Sequence, residues 1–178
     1  MSQKILKGIN ILADNVASTL GPRGRNVILQ EKNKRPIITK DGVTVAEFVD
    51  LEDPIENAGA QIIKQAAMQT NLDAGDGTTT ATVLSRAILT KAQKYISSGV
   101  PPIELQRGIE KAVEVIIDNL KEASQPITCE EDISHIATIS ANNDKVIGNL
   151  IGRAVSAAGK DGAITVEEAR SHQTSLDL

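Results

Sequence analysis

Aliphatic residues recur every three or four positions along most of this chain, while aromatic ones are nearly missing: one Tyr, one Phe and no Trp. An interior without aromatic rings must be packed from Ile, Val, Leu and Ala, and their spacing lays them along helices. Ile5, Ile9, Leu12, Val16 and Leu20 form the first such stripe, and Gly21-Pro22 stops it. Asp53-Pro54 sets an N-cap residue before a proline at the first helical position. Ile55, Ala58, Ile62 and Ala66 then predict the buried stripe of a second helix ending near Asp73. Thr78 opens a third, with Ala81, Leu84, Ile88 and Tyr95 at compatible positions and Gly99 at its end. Pro101-Pro102 opens a fourth, whose Leu105, Ile109, Ala112, Ile116 and Leu120 make a continuous apolar face. Val27-Ile28-Leu29 and Ile37-Ile38-Thr39 are short β-branched runs on either side of the polar stretch Glu31 to Arg35, and predict an antiparallel hairpin. Val43-Thr44-Val45-Ala46 suits a strand by composition and a short helix capped by Asp41 equally well.

Helical periodicity breaks at Ser124-Gln125-Pro126 and resumes in shorter pieces, which marks a boundary between two units. Ile133, Ile136 and Ala137 predict one short helix, and Val146, Leu150, Ile151, Ala154 and Val155 another. Gly159-Lys160-Asp161-Gly162 then turns into a strand at Ala163-Ile164-Thr165-Val166, and Ser175 to Leu178 begins an alternating strand. At 178 residues the chain has room for one ordinary domain and a small attachment. A net charge of -4 supplies no basic field for a phosphodiester backbone, and aromatic platforms for bases are lacking, which disfavours nucleic acid as a partner. No apolar run approaches the roughly 20 residues of a spanning helix. Met1 to Lys4 lead into a segment interrupted by Lys7, Asn10 and Asp14, unlike a secretory leader, so the expected compartment is the cytoplasm or an organelle matrix. Cys129 is the single cysteine, without ligand-spaced partners for zinc, and reads as a structural thiol.

Three short segments carry chemistry. Asp73-Ala74-Gly75-Asp76-Gly77-Thr78-Thr79-Thr80 is an acidic, glycine-bearing loop that runs into three hydroxyls at a helix start. Backbone N–H groups at a helix N-terminus attract anions, hydroxyls add donors, and glycines let phosphate oxygens approach the backbone. A carboxylate beside bare phosphate would repel it, so Asp76 suits a hard cation such as Mg²⁺ lying between the two. The same residues also suit a plain turn with Thr78 as a helix cap. Leu20-Gly21-Pro22-Arg23-Gly24-Arg25-Asn26 could wrap a polyphosphate, with Arg23 or Arg25 adding charge. It lacks the Lys-Ser or Lys-Thr pair of a P-loop, and a helix stop with two solvated arginines describes it as well. Thr39-Lys40-Asp41-Gly42 offers an ammonium beside a carboxylate that could bind metal or position water, or form only a surface ion pair. With no competing His or Cys nucleophile arrangement, the three together favour phosphate chemistry over acyl transfer or redox.

Thr19-Leu20-Gly21-Pro22-Arg23-Gly24-Arg25-Asn26, Ile38-Thr39-Lys40-Asp41-Gly42-Val43, Gly75-Asp76-Gly77-Thr78-Thr79-Thr80 and Thr138-Ile139-Ser140-Ala141-Asn142 resemble the group I chaperonins, the GroEL family, in identity, order and spacing. The resemblance runs from the first helix through Gly162-Ala163-Ile164-Thr165-Val166-Glu167. It implies a mainly α fold with small β elements. Residues 1–123 would be the N-terminal half of the equatorial ATPase domain, and residues 124–178 the ascending segment of the intermediate domain.

The same resemblance implies a site for ATP with Mg²⁺ and K⁺. Thr19, Leu20, Gly21 and Pro22, with Lys40 and Asp76 through Gly77, Thr78, Thr79 and Thr80, would hold the phosphates. Asp76 would coordinate Mg²⁺, while backbone carbonyls at Thr19 and Lys40 and the Thr79 side chain would hold K⁺. Asp41 would support catalysis beside the γ-phosphate, and Ile139 and Ser140 would approach the nucleotide from the hinge. The implied partners are unfolded polypeptides, a co-chaperonin lid and other subunits of a double heptameric ring. The apical domain, the main catalytic carboxylate and the half that grips adenine and ribose would lie outside these residues. The helical faces they cover would then stand exposed, predicting poor solubility or self-association. A non-catalytic relative that associates with full-length subunits is the alternative reading.

Overall fold

The computed structural model describes residues 3–31, 34–159, 162–167 and 174–177. Its elements are α1 (Gln3–Ala17), β1 (Val27–Leu29), β2 (Ile37–Thr39), α2 (Gly42–Phe48), α3 (Pro54–Ala74), α4 (Thr78–Ser97), α5 (Pro102–Ala123), α6 (Glu130–Ser140) and α7 (Lys145–Ala158). The fold is mainly helical, as the periodicity predicts. Two compact units divide the chain, Met1–Glu114 and Val115–Leu178, with the division falling inside α5.

In the first unit α1 packs against α2, α3 and α4, and α2 packs against β1. Ile9, Leu12, Val16, Leu29, Val45, Ala46, Ala60 and Ile63 form one core cluster, all aliphatic. The strands pair antiparallel with Val27 opposite Thr39 and Ile28 opposite Ile38. The ambiguous segment after Asp41 is the helix α2, because the Asp41 side chain accepts from the Val43 and Thr44 amides and satisfies its first turn. At the crossing of α1 and α3, a Cβ built on Gly8 would overlap the Glu56 carbonyl, and one on Gly59 the Ile5 carbonyl. The helices therefore meet backbone to backbone. Lys7 donates to Glu56 at 2.7 Å, and Lys4 to Asp53, the side chain that caps α3.

The buried faces of α3 and α4 differ from the predicted ones. Ala60, Ile63 and Ala67 are buried in α3, whereas Ile62 is 46% exposed. In α4 Thr78 and Thr82 are buried, whereas Leu84 is 56% exposed. Each helix is apolar on more than one side, and periodicity does not say which side α1 covers. The predicted face of α5 is also uncovered: no α5 residue is buried among those described, and Leu120 is 62% exposed.

The second unit holds α6 packed on α7. Gly148 and Gly152 of α7 lie against Thr138 and Ser134 of α6, so small residues set the approach. Asn142 and Asn143 take positive φ between the helices, and Asp144 caps α7 through the Val146 and Ile147 amides. No strand forms over Ala163–Val166 or residues 174–177: these residues have no partner strand among those described. Lys160, Asp161 and Leu178, which the turn and strand predictions include, lie outside the described residues. Cys129 is exposed rather than part of an interior.

Asp132 accepts from the Thr128 amide and hydroxyl at 3.1 and 3.2 Å and from the Cys129 amide at 3.3 Å, tying the entry of α6. The Thr128 amide leads the causes that lower its pKa below the usual aspartate value. A carboxylate with a depressed folded pKa contributes stability above its unfolded pKa, and that contribution is lost as pH falls through the folded one. Exchange protection of the Thr128 and Cys129 amides is therefore expected to persist at neutral pH and to fail only below the ordinary aspartate range. Asp132→Ala, which removes the accepting oxygen, should lose that protection already at neutral pH.

Candidate functional site

The chain entering the first loop leaves α1 at Ala17. The Thr19 hydroxyl donates to the Val16 carbonyl at 2.8 Å, and Thr19 is buried. The Leu20 amide bonds to the Ala17 carbonyl at 3.1 Å, and Gly21 takes φ 71° to turn the chain. The Arg25 amide then closes back on the Ser18 carbonyl at 2.8 Å. Gly24 lies so close to the Thr19 carbonyl that a Cβ would collide with it. Leu20, Gly21 and Pro22 are exposed at the rim.

The second segment leaves β2 at Thr39, whose hydroxyl oxygen accepts from the Asp41 amide at 3.0 Å. Lys40 is half-buried. Asp41 Oδ2 accepts from the Thr44 amide at 2.8 Å and the Thr44 hydroxyl at 2.6 Å, and Oδ1 from the Val43 amide at 3.3 Å. Burial is the largest single influence on its carboxyl and pushes the pKa up. The Thr44 hydroxyl and the Thr44 and Val43 amides together outweigh it, leaving the pKa below the ordinary aspartate value. Asp41 is thus held as a fixed anion.

The third segment ends α3 at Gly75, whose left-handed φ of 70° caps that helix. Asp76 is exposed, and its Oδ1 accepts from the Gly77 amide at 2.6 Å. Gly77 is the N-cap of α4 with φ 87°, and being glycine it makes no side-chain cap bond itself. The N-terminus of a 20-residue helix, the positive end of its dipole, therefore opens at this loop. The Thr78 side chain is 4% exposed, and its hydroxyl oxygen is buried without a hydrogen-bond partner among the described residues. Leaving such a group unpaired costs about 1–3 kcal/mol, which a ligand offering oxygen acceptors would relieve. The Thr82 hydroxyl donates to the Thr78 carbonyl at 2.8 Å beneath it.

Gly42 joins the three segments. A Cβ there would overlap the Thr79 hydroxyl, with Thr79 Cβ at 3.4 Å and Val16 Cγ1 at 3.5 Å next nearest. The start of α2, the start of α4 and the end of α1 therefore converge, bringing together Thr19, Asp41 and Thr78 to Thr80. Ile139 and Ser140 lie at the end of α6 in the second unit, both exposed. Gly24, Gly42 and Thr44 were not singled out from sequence as site residues. Thr44 carried a signal, a hydroxyl three positions after a potential cap; the close approaches of the glycines carried none.

This arrangement fits a phosphate ligand that brings its own cation. No cluster of three or more His, Cys, Asp or Glu able to hold a metal occurs among the described residues. Mg²⁺ commonly takes one or two carboxylates and completes its shell with water and phosphate oxygens, so Asp76 alone suffices from the protein side. The Thr19 carbonyl and Thr79 hydroxyl are oxygen donors of the type K⁺ takes, each lodged in a cradle that a Cβ on Gly24 or Gly42 would fill.

A crystal structure of a group III chaperonin in the open state is similar to this chain at a TM-score of 0.71 and 24% sequence identity, covering 86% of this chain. The match spans 31% of that protein's chain. It identifies the mainly helical fold as that of the chaperonin equatorial domain. The model of the TCP-1/cpn60 chaperonin family matches residues 12–176, a span that includes all three loops and most of both units. The chain belongs to the TCP-1/cpn60 chaperonin family.

Proposed function

We propose that this chain supplies the magnesium-phosphate side of the ATP site of a group I chaperonin subunit, a ring-forming, ATP-driven folding machine. The observation that carries the reading is the N-terminus of α4, with the buried, unpartnered Thr78 hydroxyl, packed through Gly42 against the Asp41 turn and the end of α1. Gly77, the amides of Thr78 to Thr80 and the loop from Thr19 to Pro22 would line the phosphates, with Lys40 adding charge; the Gly77 amide itself is taken by Asp76. Asp76 would hold Mg²⁺, and the Thr19 and Lys40 carbonyls with the Thr79 hydroxyl would hold K⁺. Asp41, fixed and ionised, would support orientation of the attacking water. The cations would supply charge neutralisation of the polyphosphate. By the resemblance, Ile139 and Ser140 would also be nucleotide-binding residues.

On this reading residues 1–123 are equatorial and residues 124–178 intermediate. The protein acts in the cytoplasm or an organelle matrix, on unfolded polypeptides, with a co-chaperonin lid and sister subunits in a double heptameric ring. By the resemblance, the groups that grip adenine and ribose and the main catalytic carboxylate are outside these residues. The chain alone is therefore expected to bind Mg-ATP, Mg-GTP and Mg-tripolyphosphate with similar affinity in calorimetry, to lose all three on chelation, and to turn over none. Turnover by the isolated chain, or binding that survives chelation, would contradict this. A second reading, a non-catalytic protein that associates with full-length subunits, draws on the uncovered apolar face of α5. Co-purification with full-length subunits without any nucleotide affinity would favour it.

A further inference from the structure

We propose that Gly42 is a positioning residue, whose bare Cα holds the Thr79 hydroxyl in place between α2 and α4. This rests on the reading of the loop cluster as a magnesium-nucleotide site. Glycine is not required at position 42 by its backbone, since it is not among the residues with positive φ and sits at the first position of a helix. What excludes a side chain is Thr79: its hydroxyl occupies the space a Cβ would fill. Every other neighbour of that Cβ is at 3.4 Å or beyond, close to ordinary contact.

A methyl group at position 42 therefore has one serious obstacle, and that obstacle can move by rotating about χ1 of Thr79. Rotation is open to the fold, because threonine populates two χ1 wells in a helix, and the start of α4 stays in place when the hydrogen on Cβ rather than the methyl turns toward position 42. It costs the site the hydroxyl, which swings away from the junction of the three loops. The consequence is a distinctive coupling. Gly42→Ala should act on binding as though the Thr79 hydroxyl had been deleted, although residue 79 is untouched. Once that hydroxyl is removed, the alanine at 42 fits.

The test is a double-substitution cycle on the whole chain, read by calorimetric affinity for Mg-ADP in potassium buffer and by thermal unfolding without nucleotide. Gly42→Ala and Thr79→Ala are each expected to weaken Mg-ADP binding about tenfold, the scale of one hydrogen bond to a charged group. The double variant should bind no worse than either single one, and should unfold at or above the temperature of Gly42→Ala alone. Additive losses, or wild-type affinity in Gly42→Ala with only a lowered unfolding temperature, would show Gly42 to be merely structural and overturn the proposal. Failure of the unsubstituted chain to bind Mg-ADP would overturn the nucleotide reading itself, and this role with it.

Discussion

Replacing Asp76 with alanine is expected to weaken Mg-ATP binding about a hundredfold or more while leaving the unfolding midpoint nearly unchanged, because it removes the carboxylate assigned to Mg²⁺. Asp76 is exposed, and one of its bonds, from the Gly77 amide, is local to the loop. Losing such a bond costs on the order of 1 kcal/mol, since water replaces it. Binding suffers far more: without the cation, the polyphosphate meets α4 with its charge uncompensated, and the amides of Thr78 to Thr80 cannot offset that alone. Calorimetry with and without Mg²⁺ separates the two effects. If Asp76→Ala binds Mg-ATP as tightly as the unsubstituted chain, the assigned role is wrong.

The largest expected change in stability comes from Gly59→Ala. In an exposed helix, glycine to alanine stabilises by about 1 kcal/mol through backbone entropy. At position 59 the added Cβ would overlap the Ile5 carbonyl oxygen, with the carbonyl carbon at 2.9 Å and the Ile5 Cα at 3.0 Å. Backbone atoms cannot rotate away, so α1 and α3 must separate, loosening the contact that seats Ile9 and Leu12 against Ala60 and Ile63. Overpacking of this kind costs about 1–3 kcal/mol, enough to reverse the sign of the entropic gain. Gly108→Ala in α5 is the matched control, because nothing lies within 4 Å of its would-be Cβ. It should raise stability where Gly59→Ala lowers it. Urea unfolding of the two variants measures both, and equal signs would contradict the described crossing.

The existence of the helices was legible in the sequence because their signals are local. Asp53-Pro54 starts α3, Gly75 ends it and Gly99 follows α4, all within a residue or two of the predictions. The sides they bury were not legible. Ile62 and Ala60 lie two positions apart on different faces of α3, and only the position of α1 decides that Ala60 is covered. Ala163-Ile164-Thr165-Val166 has strand composition, but a strand needs a partner, which composition cannot supply. The site divides in the same way. Asp41, Asp76 and the threonines stand out by residue type, because carboxylates and hydroxyls beside glycines are what a phosphate with its cation would need. The contact of Gly42 with Thr79 was not, because it joins residues far apart in sequence and leaves no periodic trace.

Backbone amide shifts during titration with Mg-ADP test most directly whether three separated loops form one site. The account predicts that Ser18 to Gly21, Lys40 to Gly42 and Gly77 to Thr80 shift together along a single saturating curve, with α3 and α5 unmoved. Shifts confined to one of the three segments, or curves with different midpoints, would contradict it.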